Sequence, residues 1–258
     1  MLRSLTAFAA VSLLAALASP ACRAAPSSRS AADPTRVHLI TPNGGTDAFV
    51  ALPGGRGPVP GIVVVHEWWG VNPQIQELAR RLARQGYVAI VPDLYHGKVA
   101  DDSEQAHVLL RGVEPGVAMA EIETAAKWLR AQPRVAKSKL GIVGFCMGGG
   151  YALAYALQGG DVSAAITFYG APETDAAKLA GLKAAVQGHF GAEDDGIPVD
   201  RVEAFRTALA QAGKTSEIYV YPGAGHAFMH DGRASYRPDA AKQAWARMLA
   251  FLQRHLEH

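Results

Sequence analysis

Cysteine is nearly absent from this chain of 258 residues, which contains only Cys22 and Cys146. Cys22 lies in an N-terminal segment that we expect to be cleaved, so the mature protein is predicted to keep one thiol and to form no internal disulfide. A scaffold held together by disulfides is therefore excluded. A thiol redox protein is also disfavoured, because Cys146 has no second cysteine to resolve an oxidised sulfur.

An excess of charge of either sign is also lacking. The chain has 25 Lys and Arg residues against 23 Asp and Glu residues, which gives a formal net charge of +2, and no basic tract stands out. We therefore expect no nucleic-acid partner and no attraction to an anionic membrane surface. Apolar residues make up 49% and charged residues 19% of the chain, which is typical of a globular protein with an ordinary large core.

Signatures of metals and dinucleotides are missing as well. His66, His189 and His230 do not have the spacing of a metal site, so we interpret them as hydrogen-bonded or solvated side chains and predict no metal. The glycines from Gly144 to Gly149 do not form a G-x-G-x-x-G fingerprint and do not follow a first strand, which disfavours NAD. We expect no cofactor.

A long apolar run occurs only near the N-terminus. Arg3 precedes an apolar stretch at residues 5–18, and small residues follow it. This pattern predicts a cleaved signal peptide over residues 1–25 and a protein exported to the periplasm or the medium. The stretch is too short for a convincing membrane span, and a buried N-terminal helix is the alternative. Cys22 only partly matches a lipoprotein cleavage site, so no stable membrane association is expected unless Cys22 is lipidated.

Strand-like and helix-like segments alternate after a Pro/Ser/Ala-rich tether at residues 26–34. The predicted strands are residues 37–41, 47–52, 61–66, 87–91, 140–145, 164–168, 184–190 and 217–221. The predicted helices are residues 74–85, 103–110, 117–131, 199–212 and 239–255, with Asn72 capping the first and Asp239 the last. The alternation predicts a single α/β domain over residues 35–258, with a doubly wound, mostly parallel sheet and helices on both faces. We also expect the protein to be a monomer.

One turn of this pattern has the sequence of a nucleophile elbow. Residues 139–155 read KLGIVGFCMGGGYALAY, and Cys146 is central in the pattern G-x-C-x-G between a predicted strand and a helix-forming segment. Glycines two residues before and after Cys146 remove the Cβ atoms that would collide in such a sharp turn. The amide groups of the following helix would favour a thiolate. The alternative is that Cys146 is an inert, buried apolar residue.

Ionisable residues follow three further predicted strands. Glu67 follows residues 61–66, Asp194 follows residues 184–190 and His226 follows residues 217–221. Ligands of such sheets bind at the carboxyl ends of the strands. The order nucleophile, acid, histidine is that of α/β-hydrolase triads, in which the histidine takes the proton of the nucleophile and the acid orients the histidine. We favour Asp194 over its acidic neighbours, and solvated loop side chains are the alternative for each residue.

Four separated segments resemble one known family. They read HEWWGVN at residues 66–72, GFCMGG at residues 144–149, GHFGAEDD at residues 188–195 and YPGAGHAF at residues 221–228. The chain resembles the dienelactone hydrolase (carboxymethylenebutenolidase) family, a cysteine-dependent branch of the α/β-hydrolases. The resemblance implies an α/β-hydrolase fold and the hydrolysis of small ester or lactone substrates.

The resemblance also assigns roles to particular residues. It implies that Cys146 is the nucleophile and forms an acyl-cysteine intermediate, that His226 is the base and that Asp194 is its partner. Glu67 would contact the thiol and control its protonation. The backbone N–H groups of Trp68 and Met147 would form the oxyanion hole.

The expected substrate-binding residues depart in part from the family pattern. The family holds a substrate carboxylate with two arginines, and here Ser103 and His230 stand at the corresponding places. Arg233 is the candidate replacement, with Arg111 as an alternative. Trp69 and Tyr169 are the other implied substrate-binding residues. A catalytically silent protein that binds small molecules on the same fold remains the alternative function.

Overall fold

The computed structural model describes Met1, residues 36–55 and residues 57–256, and of residues 137–139 the backbone alone. From Arg36 onward the described residues belong to one compact unit, Pro34–His258. The predicted signal peptide, apart from Met1, and the tether lie outside the described residues. None of the described helices has the length and apolar character needed to cross a membrane.

The described residues form one eight-stranded sheet in the order β1-β2-β4-β3-β5-β6-β7-β8. The strands are β1 (Arg36–Leu39), β2 (Thr46–Ala51), β3 (Val59–Val65), β4 (Val88–Pro92), β5 (Val135–Phe145), β6 (Ala164–Phe168), β7 (Ala185–Gly191) and β8 (Ser216–Tyr221). β1 and β2 form an antiparallel hairpin at one edge, and β2 also pairs antiparallel with β4. All other pairs are parallel, which confirms the predicted mostly parallel sheet.

Six helices lie between strands in the described part of the chain, and a seventh follows the last strand. They are α1 (Pro73–Arg84), α2 (Ser103–Arg111), α3 (Pro115–Ala131), α4 (Met147–Leu157), α5 (Ala176–Leu179), α6 (Val199–Gln211) and α7 (Pro238–Leu256). Asn72 caps α1 as predicted, since its Oδ1 accepts the Ile75 N–H at 3.0 Å. The predicted cap at Asp239 is wrong, because α7 begins at Pro238 and Asp239 therefore lies in its first turn. There its negative charge interacts favourably with the positive end of the helix dipole. The four-residue α5 was not predicted, because it is too short to show a helical period.

The central strand β3 shows why the sheet is covered on both faces. Ile62 and Val64 pack into the layer that contains α1 and α7. Val63 and Val65 pack into the opposite layer with α3, α4 and α6. All four side chains are completely buried. Successive side chains of a strand point to opposite faces, so a continuous apolar run is what a strand between two helical layers requires.

The strand order brings the carboxyl ends of β3, β5, β6, β7 and β8 side by side at one edge of the sheet. Backbone hydrogen bonds continue the pairing past the strand ends. The N–H of Cys146 donates to the Phe168 carbonyl at 3.0 Å, and the N–H of Tyr169 donates to the His189 carbonyl at 2.8 Å. The loops that carry the predicted site residues are thereby held against each other where they leave the sheet.

Candidate active site

Cys146 occupies a strained turn between β5 and α4. Its φ and ψ are 53° and −118°, a backbone conformation that residues with side chains rarely adopt. A Cβ atom on Gly144 would lie 1.9 Å from the Gly148 carbonyl oxygen, and one on Gly148 would lie 2.3 Å from the Val65 carbonyl oxygen. The prediction that these glycines avoid a collision of Cβ atoms is confirmed, because the turn closes so tightly that neither position has room for a side chain.

The backbone N–H groups of Trp68 and Met147 are among those near Cys146 that have no hydrogen-bond partner within the described residues. Met147 is the first residue of α4, where amide groups have no intrahelical acceptor. Trp68 lies on the loop between β3 and α1. Gly148 brings the first turn of α4 against the end of β3, as its close approach to the Val65 carbonyl shows. Two unused donors therefore flank the nucleophile elbow.

His226 and Asp194 form a hydrogen-bonded pair. Nδ1 of His226 lies 2.8 Å from Oδ2 of Asp194. The other carboxylate oxygen accepts the N–H groups of Gly196 at 2.9 Å and Ile197 at 3.1 Å. Asp194 is 4% exposed, whereas the acidic side chains on either side of it are exposed. A fully bonded, buried carboxylate is well suited to fix the orientation of an imidazole.

The charge on His226 depends on its neighbours. Burial lowers the pKa of His226, but the hydrogen bond with Asp194 and the interaction with Cys146 outweigh it and raise the pKa to about 10. Because Nδ1 faces Asp194, Nε2 remains for the sulfur. The arrangement therefore favours an imidazolium beside Cys146 at neutral pH.

Glu67 is 3% exposed and bonded to Tyr169, whose hydroxyl donates to Oε1 at 2.8 Å. Burial raises the pKa of Glu67 to about 7, although the Tyr169 hydrogen bond and the charges of His226 and Arg233 oppose the rise. No hydrogen bond joins Glu67 and Cys146 among the described residues, although both side chains line the same cavity. Tyr169 is itself completely buried, with a φ of 40°, so it supports Glu67 from below the cavity and does not line it.

A cavity of about 410 Å³ opens above these residues. It is lined by Glu67, Trp68, Trp69, Cys146, His226, Ala227, Arg233, Ala234 and Ser235. The guanidinium carbon of Arg233 lies 3.5 Å from the centroid of the Trp69 ring, a cation–π contact that holds the charge in the cavity wall. A groove of about 450 Å³ between β2 and α1 is slightly larger, but none of the strand-end residues lines it.

His230 differs from the other two histidines that we interpreted as hydrogen-bonded or solvated. That interpretation is right for His66, which bonds the Glu67 carbonyl, and for His189, which bonds Tyr221 and Gln187. It is wrong for His230, which is 5% exposed and has no hydrogen bond to either ring nitrogen among the described residues. Its Nε2 lies 3.9 Å from Oε2 of Glu67. Sequence spacing carries no signal for this approach.

Metal binding finds no support in the geometry. In the described parts of the chain, no three His, Cys, Asp or Glu side chains converge in a way that could hold a metal ion.

Comparison with known proteins identifies the family of this chain. Residues 46–256 match the model of the dienelactone hydrolase family. A Yersinia pestis protein provisionally named a carboxymethylenebutenolidase is 37% identical over 223 residues, which cover 81% of this chain and 83% of the relative. A Bradyrhizobium protein, provisionally named a 2-oxo-3-(5-oxofuran-2-ylidene)propanoate lactonase, is 30% identical over 81% of this chain and 89% of its own length. The crystal structure of a Klebsiella pneumoniae protein, provisionally named a dienelactone hydrolase, superposes with a TM-score of 0.75 and 35% identity, covering 84% of this chain and 97% of that one. The chain therefore belongs to the dienelactone hydrolase family, and it is a hydrolase with the α/β-hydrolase fold.

Proposed function

We propose that this protein cleaves small esters or lactones with Cys146 as the nucleophile and an acyl-cysteine as the intermediate. The observation that carries the proposal is that Cys146 and His226 line one cavity, while His226 Nδ1 lies 2.8 Å from Oδ2 of the buried Asp194. A cysteine at a strained elbow, next to a histidine that a buried acid orients, is the arrangement that nucleophilic catalysis requires.

The reaction proceeds in two acyl transfers. The Cys146 sulfur attacks the acyl carbon, and the N–H groups of Trp68 and Met147 bind the oxyanion that forms. Collapse of this intermediate breaks the bond from carbon to the leaving oxygen, to which His226 gives its proton. In a lactone that oxygen stays attached to the acyl chain. His226 then takes a proton from a water molecule that attacks the thioester, and the carboxylic acid and free Cys146 are released.

The cavity supports a small substrate with an anionic group. Its volume of about 410 Å³ lies within the range of small-molecule sites. Arg233, held over Trp69, provides a positive charge in its wall. The lactone in the name of the Bradyrhizobium relative carries a carboxylate, which is the kind of group that an arginine binds. We therefore infer a preference for carboxylate-bearing esters and lactones.

The test compares hydrolysis of matched esters and lactones, with and without a carboxylate, by wild type, Cys146→Ala and Cys146→Ser. We expect Cys146→Ala to be inactive and Cys146→Ser to keep at most a weak remnant. Mass spectrometry of the quenched wild-type reaction should find the acyl group on Cys146. Full activity in Cys146→Ala would refute the mechanism, and no turnover of any substrate by the wild type would favour the silent binding protein.

Export is a separate proposal, which rests on the sequence of residues 1–25. Expression in a Gram-negative host, followed by fractionation and intact mass measurement, tests it. We expect a periplasmic protein that has lost the signal peptide. A cytoplasmic protein that keeps residues 1–25 would contradict it.

A further inference from the structure

Three buried polar atoms beside the proposed nucleophile lack hydrogen-bond partners among the described residues. They are Oε2 of Glu67 and both ring nitrogens of His230. Oε2 and the His230 Nε2 approach to 3.9 Å, and both side chains are almost completely buried. Buried polar groups are rarely left without a hydrogen bond, so an unpaired carboxylate oxygen and an unpaired imidazole that face each other call for a functional explanation.

The surroundings bring the proton affinities of the two groups together. Burial raises the pKa of Glu67 to about 7, against the Tyr169 hydrogen bond and the charges of His226 and Arg233. Burial also lowers the pKa of His230, with a further decrease from Arg233 and partial increases from Asp231 and from the backbone of His230 itself, which makes no well-formed hydrogen bond to the ring. Both shifts favour the uncharged forms of the two side chains, and because Oε2 and Nε2 lie 3.9 Å apart a charge on one side chain bears directly on the other.

We propose that Glu67 and His230 hold one proton between them and so set the net charge beside Cys146. His230 is thus a positioning residue that acts through Glu67, and this inference rests on the proposed function of Cys146. With one proton the pair has no net charge, whichever residue carries it. Loss of that proton leaves one negative charge, which opposes a thiolate and stabilises the His226 imidazolium. Hence the fraction of Cys146 that is ionised is controlled by a buried pair that is not hydrogen-bonded to it.

The first experiment observes the proton directly. Titration of the histidine ring carbons by NMR is compared between wild type, Glu67→Gln and a control, Glu104→Gln, which changes an exposed glutamate on α2. We expect the His230 curve of the wild type to spread over two steps, and the upper step to vanish in Glu67→Gln, with a midpoint lower by about one pH unit or more. The control should match the wild type. Superimposable single-step curves in all three proteins would refute the shared proton. Because this readout does not depend on catalysis, it stands even if Cys146 proves unreactive.

The second experiment tests the effect on Cys146. The rate of alkylation by iodoacetamide is measured against pH in wild type, Glu67→Gln, His230→Gln and the double variant, with thermal melting as a check of folding. We expect a step near the titration of the pair in the wild type, its loss in Glu67→Gln and in the double variant, and its displacement to another pH in His230→Gln. His38→Gln, at an exposed histidine paired with Asp47, should keep the step. A step retained at the wild-type pH in folded His230→Gln would overturn the positioning role.

Discussion

Glu67→Gln should stabilise the protein, and increasingly so as the pH rises. The carboxyl of Glu67 has a pKa of about 7 in the folded chain, because burial disfavours its charge. In the unfolded chain its pKa is near the ordinary value of about 4.3. The folded state therefore binds the proton more tightly, and ionisation of Glu67 reduces the free energy of unfolding as the pH rises from about 4 through 7. One pKa unit corresponds to about 1.4 kcal/mol, so the full penalty approaches 3 to 4 kcal/mol at high pH.

The variant avoids this penalty without creating a new one. A glutamine oxygen at the position of Oε1 still accepts the Tyr169 hydroxyl, which lies 2.8 Å away in the wild type. Its amide nitrogen would face His230 Nε2, 3.9 Å from the present oxygen. Glu67 is only 3% exposed, so solvent screens the effect little. The amide should therefore fit the site at every pH.

Urea unfolding, followed by circular dichroism between pH 5.5 and 8.5, provides the measurement. The advantage of Glu67→Gln over wild type should grow by about 2 kcal/mol across this range. Glu104→Gln, which changes an exposed carboxylate, should shift the free energy of unfolding by no more than about 1 kcal/mol and equally at each pH. A difference in the free energy of unfolding between Glu67→Gln and wild type that stays constant with pH would refute the raised pKa of Glu67.

Three further predictions concern other parts of the site. Asp194→Asn should lower the pKa of His226 from about 10, because the charged hydrogen-bond acceptor is lost, and it should reduce kcat/KM by about 10²- to 10⁴-fold. NMR titration of His226 measures the first effect and steady-state kinetics the second. An unchanged pKa of His226 would contradict its pairing with Asp194. Gly148→Ala should lower the Tm and abolish activity, because the new Cβ would lie 2.3 Å from the Val65 carbonyl oxygen; a wild-type melting curve would disprove the tight elbow. Arg233→Gln should raise KM about tenfold or more for substrates that carry a carboxylate, and for those alone, whereas Arg111→Gln should leave KM unchanged. Steady-state kinetics with matched charged and neutral substrates measure this. An equal increase in KM for neutral substrates would argue against recognition of the charge.

Much of the fold could be predicted because its signals are local. The β-branched run of β3 is long enough to require burial on both faces, and the observed bounds of most elements lie within two residues of the predicted ones. The main exception is β5, which begins at Val135 and not at residue 140. The turn at Cys146 was also predictable, because the steric demand of a tight turn selects glycine at fixed offsets.

The contacts of Glu67 could not be predicted in the same way. Tyr169, which holds its carboxyl, is 102 residues away in the chain, and His230 approaches from a third loop. Such contacts depend on which strands are neighbours and on how deeply each side chain is buried. Neither quantity is encoded in the residues around Glu67, so the hydrogen bond from Tyr169 and the approach of His230 could be found only in the structure.

The elbow does not by itself explain why residue 146 is a cysteine, because its glycines serve the backbone and would suit a serine equally well. The charges around it make the distinction. The pKa of His226 is raised to about 10 by the hydrogen bond with Asp194 and by the interaction with Cys146, so this value already contains the effect of a negative sulfur. A thiol ionises far more readily than an alcohol, and a serine at this position could not supply that negative charge near neutral pH. Replacing sulfur by oxygen would also remove part of what raises the pKa of His226. The proposed base and the proposed nucleophile are therefore matched to each other in charge, and the proton that we propose for Glu67 and His230 would act on this match.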